Sequence, residues 1–121
     1  MAGRLQKYAA ECLETHPAVA AWAKNDHLGF FVHYMWRGSK RRYVPDFLVR
    51  MTNGKQLLLE IKGQAGEQNE AKRAAMQQWV EAINGHGGFG VWAHEVAFEM
   101  AALHDLLDRH GGRSMAAAQE A

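Results

Sequence analysis

The chain has 121 residues, of which 48% are apolar and 22% charged, and this composition is typical of one folded domain. Fourteen Lys and Arg residues against thirteen Asp and Glu residues give a net charge of +1, so overall charge does not by itself indicate a nucleic-acid partner. The single cysteine, Cys12, excludes an internal disulfide and favours a reducing compartment.

The sequence also lacks the signals of membrane insertion or export. No apolar run approaches the roughly 18 residues that a membrane span requires, and residues 1 to 7 lack the apolar stretch of a signal peptide. We therefore expect a cytoplasmic protein with no membrane partner.

The first predicted element is a helix over residues 4 to 15. Apolar residues recur there at the spacing of an amphipathic helix, namely Leu5, Tyr8, Ala9, Cys12 and Leu13. Pro17 ends this helix, and Ala18 to Lys24 is expected to add a short helical turn.

Three strands are predicted next. Phe30 to Trp36 is dense in aromatic and β-branched residues, which indicates a strand covered on both faces, and Gly38-Ser39 is its turn. Tyr43 to Met51 is the second strand and Gln56 to Lys62 the third, with the hairpin signal Asn53-Gly54 between them.

The second half of the chain alternates between helix and strand. Helical periodicity returns over Glu67 to Asn84, a glycine-rich break opens a strand over Phe89 to His94, and a last helix follows. The stripe of that last helix is Val96, Met100, Leu103 and Leu107. The predicted fold class is α/β, in one domain over residues 1–112, with residues 113–121 as a disordered tail.

The second predicted hairpin carries the most evident chemistry. Because side chains alternate along a strand, Glu60 and Lys62 are expected to share one face, and Leu59 and Ile61 the other. An isolated Glu-x-Lys on an exposed strand is commonly an ion pair worth under about 1 kcal/mol. Three apolar residues lead into Glu60, however, and they indicate a buried strand in which charged residues need a function.

The position of Asp46 depends on the register of this hairpin. A two-residue turn at Asn53-Gly54 would pair Asp46 with Ile61 and separate the two carboxylates. A three-residue loop with a left-handed Gly54 would pair Asp46 with Glu60. We expect the second register, which also sets Leu48 opposite Leu58.

Two adjacent carboxylates repel each other, and a cation between them relieves the repulsion. Mg²⁺ is the economical choice because it takes one or two protein carboxylates and completes its shell with waters and phosphate oxygens. Lys62 would then orient a water molecule and offset charge that builds on a phosphorus under attack.

These residues resemble the PD-(D/E)XK nuclease superfamily, with Pro45-Asp46 as the first half of the motif and Glu60-Ile61-Lys62 as the second. A longer set of segments is similar to the C-terminal nuclease domain of type III restriction subunits. The set comprises Arg42 to Phe47, Leu59 to Gly63, Lys72, Trp79-Val80, Asn84 and Gly90 to Ala93. This similarity spans roughly residues 28 to 95.

The resemblance implies a restriction-endonuclease-like αβββαβ core, with a mixed four-stranded sheet flanked by helices. It also implies a DNA endonuclease that depends on Mg²⁺, for which Mn²⁺ can substitute. Asp46, Glu60 and the backbone carbonyl of Ile61 would be metal ligands, and Lys62 would be the catalytic lysine. Type III subunits carry an ATP-driven motor, but no G-x-x-x-x-G-K-[ST] motif occurs here. The motor and a modification methyltransferase subunit would then be separate partners, or the chain is a small independent relative.

Further candidates lie outside the motif. Glu11 on the first helix and Gln68 and Lys72 on the second are additional site candidates. Solvated surface is the simpler explanation for Glu11, whereas a snorkelling stem explains Lys72 as simply as a contact with the site does. Four basic residues, Arg37, Lys40, Arg41 and Arg42, are expected to grip the DNA backbone without reading sequence, unless they only solvate a loop.

A rival interpretation keeps the fold without the catalysis. The small net charge and the missing motor fit a module that binds DNA or a partner protein. Joint presence of Asp46, Glu60 and Lys62 favours the enzyme. The sequence leaves open whether two copies pair as a homodimer to cut both strands.

Overall fold

The computed structural model describes residues 2–111, with side chains from residue 6 onward. The tail expected at 113–121 lies outside the described residues. The helices and strands, in chain order, are α1 (Ala2–Thr15), β1 (Val19–Lys24), β2 (Val32–Trp36), β3 (Ser39–Tyr43), β4 (Phe47–Met51), β5 (Gln56–Ile61), α2 (Glu67–His86), β6 (Trp92–Ala97) and α3 (Met100–Gly111). No helix in this part of the chain combines the length and apolar character needed to cross a membrane.

The main sheet has four strands in the order β1-β4-β5-β6. β1, β4 and β5 are antiparallel neighbours, whereas β6 runs parallel to β5. A parallel pair needs a crossover connection, and α2 supplies it. The predicted α/β class and the mixed four-stranded sheet are therefore confirmed.

The remaining two strands, β2 and β3, form a separate antiparallel hairpin inserted between β1 and β4. Its inner side chains, Val32, Tyr34 and Tyr43, pack with Met76 and Val80 of α2. The outer side of β2 is exposed, so the expectation that this segment is covered on both faces was wrong.

The first strand of the sheet is also not the predicted one. Val19–Lys24 pairs with β4 along its length, where a helical turn was expected. Its sequence is rich in alanine and has weak strand propensity, so pairing with β4 decides its conformation. The predicted strand Tyr43 to Met51 is divided at Pro45, which has no N–H to donate to a sheet.

Smaller differences concern the helices and the last strand. Tyr8, placed in the buried stripe of α1, is 56% exposed. The last strand begins at Trp92 rather than Phe89 and extends to Ala97, so Val96 belongs to β6 and not to the final helix.

The predicted register of the β4–β5 hairpin is confirmed. Leu48 pairs with Leu58, and the Met51 N–H donates to the Lys55 carbonyl at 2.8 Å. The loop between Met51 and Lys55 has three residues. Its last residue, Gly54, has a φ of 91°, a conformation that favours glycine.

The two faces of the sheet bury separate clusters. One cluster lies beneath α1 and α3 and includes Leu13, Phe47 and Leu103, and the other lies beneath α2 and the hairpin. β5 is central to both, because Leu57, Leu58 and Leu59 are all completely buried. This strand therefore holds Glu60 rigidly at the edge of the core.

Candidate active site

Asp46 and Glu60 lie on neighbouring chain segments at one end of the sheet. Asp46 directly precedes β4, and its N–H donates to the Leu59 carbonyl of β5 at 3.0 Å. Burial raises the pKa of Asp46, the hydrogen bond from the Ile61 N–H opposes this shift, and the charge of Glu60 raises the pKa further. The charge of Glu60 thus acts on the Asp46 carboxylate.

Two residues that the sequence analysis missed support Asp46. Asn25 is 4% exposed, and its amide donates to the Pro45 carbonyl at 3.0 Å, while its backbone N–H donates to the Asp46 carbonyl at 2.9 Å. Gln6 of α1 donates to Asp46 Oδ1 at 3.3 Å, and the Ile61 N–H donates to Oδ2 at 2.7 Å. Asp46 is therefore held from both sides.

The α1 residue beside Asp46 is Gln6, and not the candidate Glu11. Glu11 is exposed, and it is not among the residues that line the cavity in front of Asp46. The helical pattern placed Glu11 at the margin of the apolar stripe, but the angle at which α1 crosses the sheet decides which of its residues reaches Asp46.

Glu60 is bound by residues of β3 and α2. The Tyr43 hydroxyl donates to Glu60 Oε1 at 2.6 Å, and Arg73 donates from Nε to Oε1 and from Nη2 to Oε2, both at 3.3 Å. Burial and the Glu60 hydrogen bond raise the pKa of Tyr43 well above its ordinary value. The hydroxyl therefore stays protonated and donates a hydrogen bond to Glu60.

His94 of β6 extends this network. Its Nε2 lies 3.1 Å from the Tyr43 hydroxyl oxygen. Because the Tyr43 proton is directed at Glu60, His94 Nε2 donates the second hydrogen bond. Burial lowers the pKa of His94, so its ring is neutral in this position.

Lys62 follows β5 in a left-handed conformation, with a φ of 57°. This conformation is unfavourable for a residue with a side chain, and such strain is concentrated at functional sites. The strand ends at Ile61, so the alternation that predicts a shared face for Glu60 and Lys62 does not extend to Lys62. Lys62 instead lines a cavity of about 390 Å³ together with Asp46. The other lining residues are Gln6, Ile61, Gly63, Gln64 and Phe98.

The two α2 candidates have different positions. Lys72 Nζ lies 5.2 Å from the centre of the Tyr43 ring, and its charge acts to lower the pKa of Asp46. Gln68 donates to the Tyr34 hydroxyl at 2.8 Å, so it serves the packing of the hairpin. The structure thus brings Lys72 into the electrostatic environment of the carboxylates.

The donor set of Asp46 and Glu60 fits Mg²⁺. Both side chains offer hard carboxylate oxygens, which this ion prefers. The pKa of Asp46 is raised by burial and by Glu60, and a cation between the two groups would relieve that repulsion.

Four basic residues of the β2–β3 hairpin are exposed, namely Arg37, Lys40, Arg41 and Arg42. None of them forms an ion pair with a carboxylate in the described part of the chain. Arg42 stacks over the Phe31 ring at 4.5 Å, and Arg37 over Trp36 at 5.2 Å. The hairpin ends at Tyr43, which binds Glu60, so the base of the hairpin reaches the candidate site.

A second cluster of ligand-type side chains joins α1 to α3. His16 Nε2 lies 2.8 Å from Asp108 Oδ1, and His104 Nδ1 lies 3.4 Å from Asp108 Oδ2. The Ala18 N–H donates to His16 Nδ1, so Nε2 carries the ring proton of a neutral His16 and donates it to Asp108. A metal at Nε2 would need the opposite tautomer, so this cluster fits a structural hydrogen bond better than a metal site.

No family model matches the chain, and neither the curated proteins nor the solved structures contain a significant match.

Proposed function

We propose that the protein is a Mg²⁺-dependent endonuclease that hydrolyses DNA phosphodiester bonds. The observation that carries the proposal is a pair of carboxylates on adjacent strands, Asp46 just before β4 and Glu60 on the buried strand β5, with Lys62 and Asp46 lining one cavity. Strain at Lys62 and the raised pKa of Asp46 are both costs that a functional site explains.

The finer fold assignment is part of this proposal. Without the β2–β3 hairpin, the order α1, β1, β4, β5, α2, β6 is αβββαβ, which is the order that the resemblance to PD-(D/E)XK nucleases implies. The hairpin is then an insertion between the first two strands of a restriction-endonuclease-like core.

Each residue has a role that follows from its position. Asp46, Glu60 and the backbone carbonyl of Ile61 would hold the Mg²⁺ ion, which when bound neutralises charge on the phosphate. Lys62 is exposed in the cavity, where its ammonium group can orient the attacking water and donate to a phosphate oxygen. Asn25 and Gln6 keep Asp46 in position while the charges around it change.

The basic hairpin supplies the contact with DNA. Its four exposed cations are free of carboxylate partners among the described residues, so they can bind phosphates without first breaking an ion pair. Contacts of this type position a duplex but do not read its sequence. A motor region and a methyltransferase subunit would come from separate chains or chain segments.

A non-catalytic DNA- or protein-binding module remains the second candidate. One observation favours it, because both oxygens of Glu60 already accept hydrogen bonds from Arg73 or Tyr43. Such a module would bind DNA through the hairpin and would not respond to divalent ions.

A cleavage assay distinguishes the two candidates. Supercoiled plasmid is incubated with the protein in Mg²⁺, in Mn²⁺ and in metal-free buffer, alongside the Lys62→Ala variant. We expect cleavage only with a metal ion and only by the parent protein. Cleavage by Lys62→Ala at the parent rate, or no cleavage under any condition, would refute the enzyme.

A further inference from the structure

We propose that Arg73 is a resident counter-ion of Glu60 that the divalent cation displaces, so that loading of the site frees the Arg73 guanidinium for a substrate phosphate. The inference rests on the proposed function and adds a residue that lies outside the nuclease motif. Arg73 would be a positioning residue in the metal-free protein and a phosphate contact in the loaded one.

The hydrogen bonds of Glu60 leave little room for a metal while Arg73 is in place. A carboxylate has about four lone-pair directions. Two on Oε1 are used by Tyr43 and by Arg73 Nε, and one on Oε2 is used by Arg73 Nη2. Only one direction on Oε2 is open, so full access to Glu60 requires Arg73 to move.

The Arg73 contacts are the weaker ones. Both measure 3.3 Å, whereas charge-assisted N–H···O bonds are typically about 2.7–2.9 Å. The Tyr43 contact is 2.6 Å, so Tyr43 holds Glu60 firmly while Arg73 holds it loosely. A cation can therefore replace Arg73 without releasing the glutamate from Tyr43.

Arg73 lies close to two residues that line the cavity into which a phosphate would enter, Phe98 and Gly63. Its Cζ lies 5.2 Å from the centre of the Phe98 ring, and Phe98 lines the cavity with Asp46 and Lys62. Gly63, another lining residue, makes room for the guanidinium, because a Cβ there would lie 2.6 Å from Arg73 Nη2. A small movement across Phe98 would carry the guanidinium from Glu60 to the cavity.

The charges around the site explain why displacement of Arg73 by the metal ion would favour binding of a substrate phosphate. Asp46 and Glu60 give two negative charges, and three cations surround them: Lys62, Lys72 and Arg73. A divalent ion adds positive charge to a site that already holds these three cations. A phosphate offsets that charge by binding Arg73, so metal and DNA should each strengthen the binding of the other.

Calorimetric titration with Mn²⁺ tests the displacement without relying on cleavage. Arg73→Met removes the competing charge but keeps an unbranched side chain over Phe98. We expect Mn²⁺ to bind Arg73→Met at least about tenfold more tightly than the parent, because one positive charge near the ion is gone. A residue with only a structural role would weaken or preserve the site when removed.

The matched control is Arg50→Met, which removes an exposed arginine from β4 and changes the net charge equally. We expect its Mn²⁺ affinity to equal that of the parent. If Arg73→Met does not fold, Arg73→Gln keeps an amide that can donate to Glu60 and should also bind Mn²⁺ more tightly.

The outcomes separate this inference from the proposed function. Mn²⁺ binding by the parent with equal or weaker binding by the Arg73 variants would overturn only the role of Arg73. No Mn²⁺ binding by any of the proteins would overturn the metal site as well. Equal tightening in Arg50→Met would show a general charge effect and would also overturn the displacement.

The coupling to DNA has its own test in the Lys62→Ala background, where cleavage is absent on the proposed mechanism. Fluorescence anisotropy of a short duplex should show that Mn²⁺ strengthens DNA binding, and that Arg73→Met reduces this gain. An equal gain with and without Arg73 would refute the transfer of the guanidinium to phosphate.

Discussion

Asp46 and Glu95 are partly buried carboxylates on the same sheet, and their surroundings act in opposite directions. The Glu95 side chain accepts a hydrogen bond from His110 Nε2 at 2.6 Å and one from Arg109 at 3.4 Å, and these partners lower its pKa. Among the described residues, Asp46 accepts hydrogen bonds only from neutral donors, and burial raises its pKa although the charge of Lys72 acts to lower it.

This difference indicates that Glu95 has a structural role, whereas Asp46 is suited to bind a cation. Glu95 fastens β6 to the last turn of α3, where Lys55 also donates to His110. Its charge is already satisfied, so it has little to offer a ligand. Asp46 lacks a cation bonded to it among the described residues, and its raised pKa is the condition under which an added cation binds strongly.

The largest expected effect is on cleavage. Glu60→Gln should lower plasmid cleavage at least about 100-fold, the loss typical when one electrostatic group of an active site is removed. Glu95→Gln, the matched control on the neighbouring strand, should cleave at the parent rate. Comparable losses in both variants would show that Glu60 has no catalytic role beyond the structural role of Glu95.

DNA affinity should depend on the hairpin and not on the α3 anchor. Replacing Lys40, Arg41 and Arg42 by glutamine removes three cations, and the slope of log affinity against log salt should fall by about 2 to 3. Arg109→Gln, which removes a cation at the anchor, should leave the slope unchanged. Anisotropy titrations over a salt series measure both. An unchanged slope in the triple variant would exclude the hairpin as the DNA contact.

Asp46 and Glu95 should respond to pH in separate ranges. Mn²⁺ requires ionised Asp46, whose pKa is raised, so Mn²⁺ affinity should fall while the pH is still above the ordinary aspartate value of 3.8. The pKa of Glu95 is lowered, so the stability it contributes is lost only as the pH falls below the ordinary 4.5. Calorimetry at stepped pH measures the first effect. A constant Mn²⁺ affinity down to pH 3.8 would contradict it.

The smallest expected effects are on stability, and they have opposite signs. Asp46→Asn keeps an oxygen for the Ile61 N–H and removes a poorly compensated charge, so the melting temperature should rise by about 2–5 °C. Glu95→Gln weakens two charge-assisted hydrogen bonds and should cost about 1 kcal/mol. Thermal unfolding in metal-free buffer tests both, and a lower melting temperature for Asp46→Asn would argue against functional strain.

The sequence was informative where local patterns dominate. The apolar run that leads into Glu60 predicts a buried strand, and Leu57 to Leu59 are completely buried. Asn53-Gly54 indicates a tight turn, and of the two registers that it allows, the three-residue loop is the one observed, with Leu48 opposite Leu58 and Gly54 left-handed. A local turn and an alternating strand thus decide how β4 and β5 pair.

Only the tertiary structure decided the rest. Val19–Lys24 becomes a strand because β4 offers it a partner, and the β2–β3 hairpin leaves the main sheet because its apolar side packs on α2. Arg73 reaches Glu60 from another element, 13 positions along the chain. Contacts of this kind depend on how helices cross the sheet, and the spacing of residues along one element carries no information about that angle.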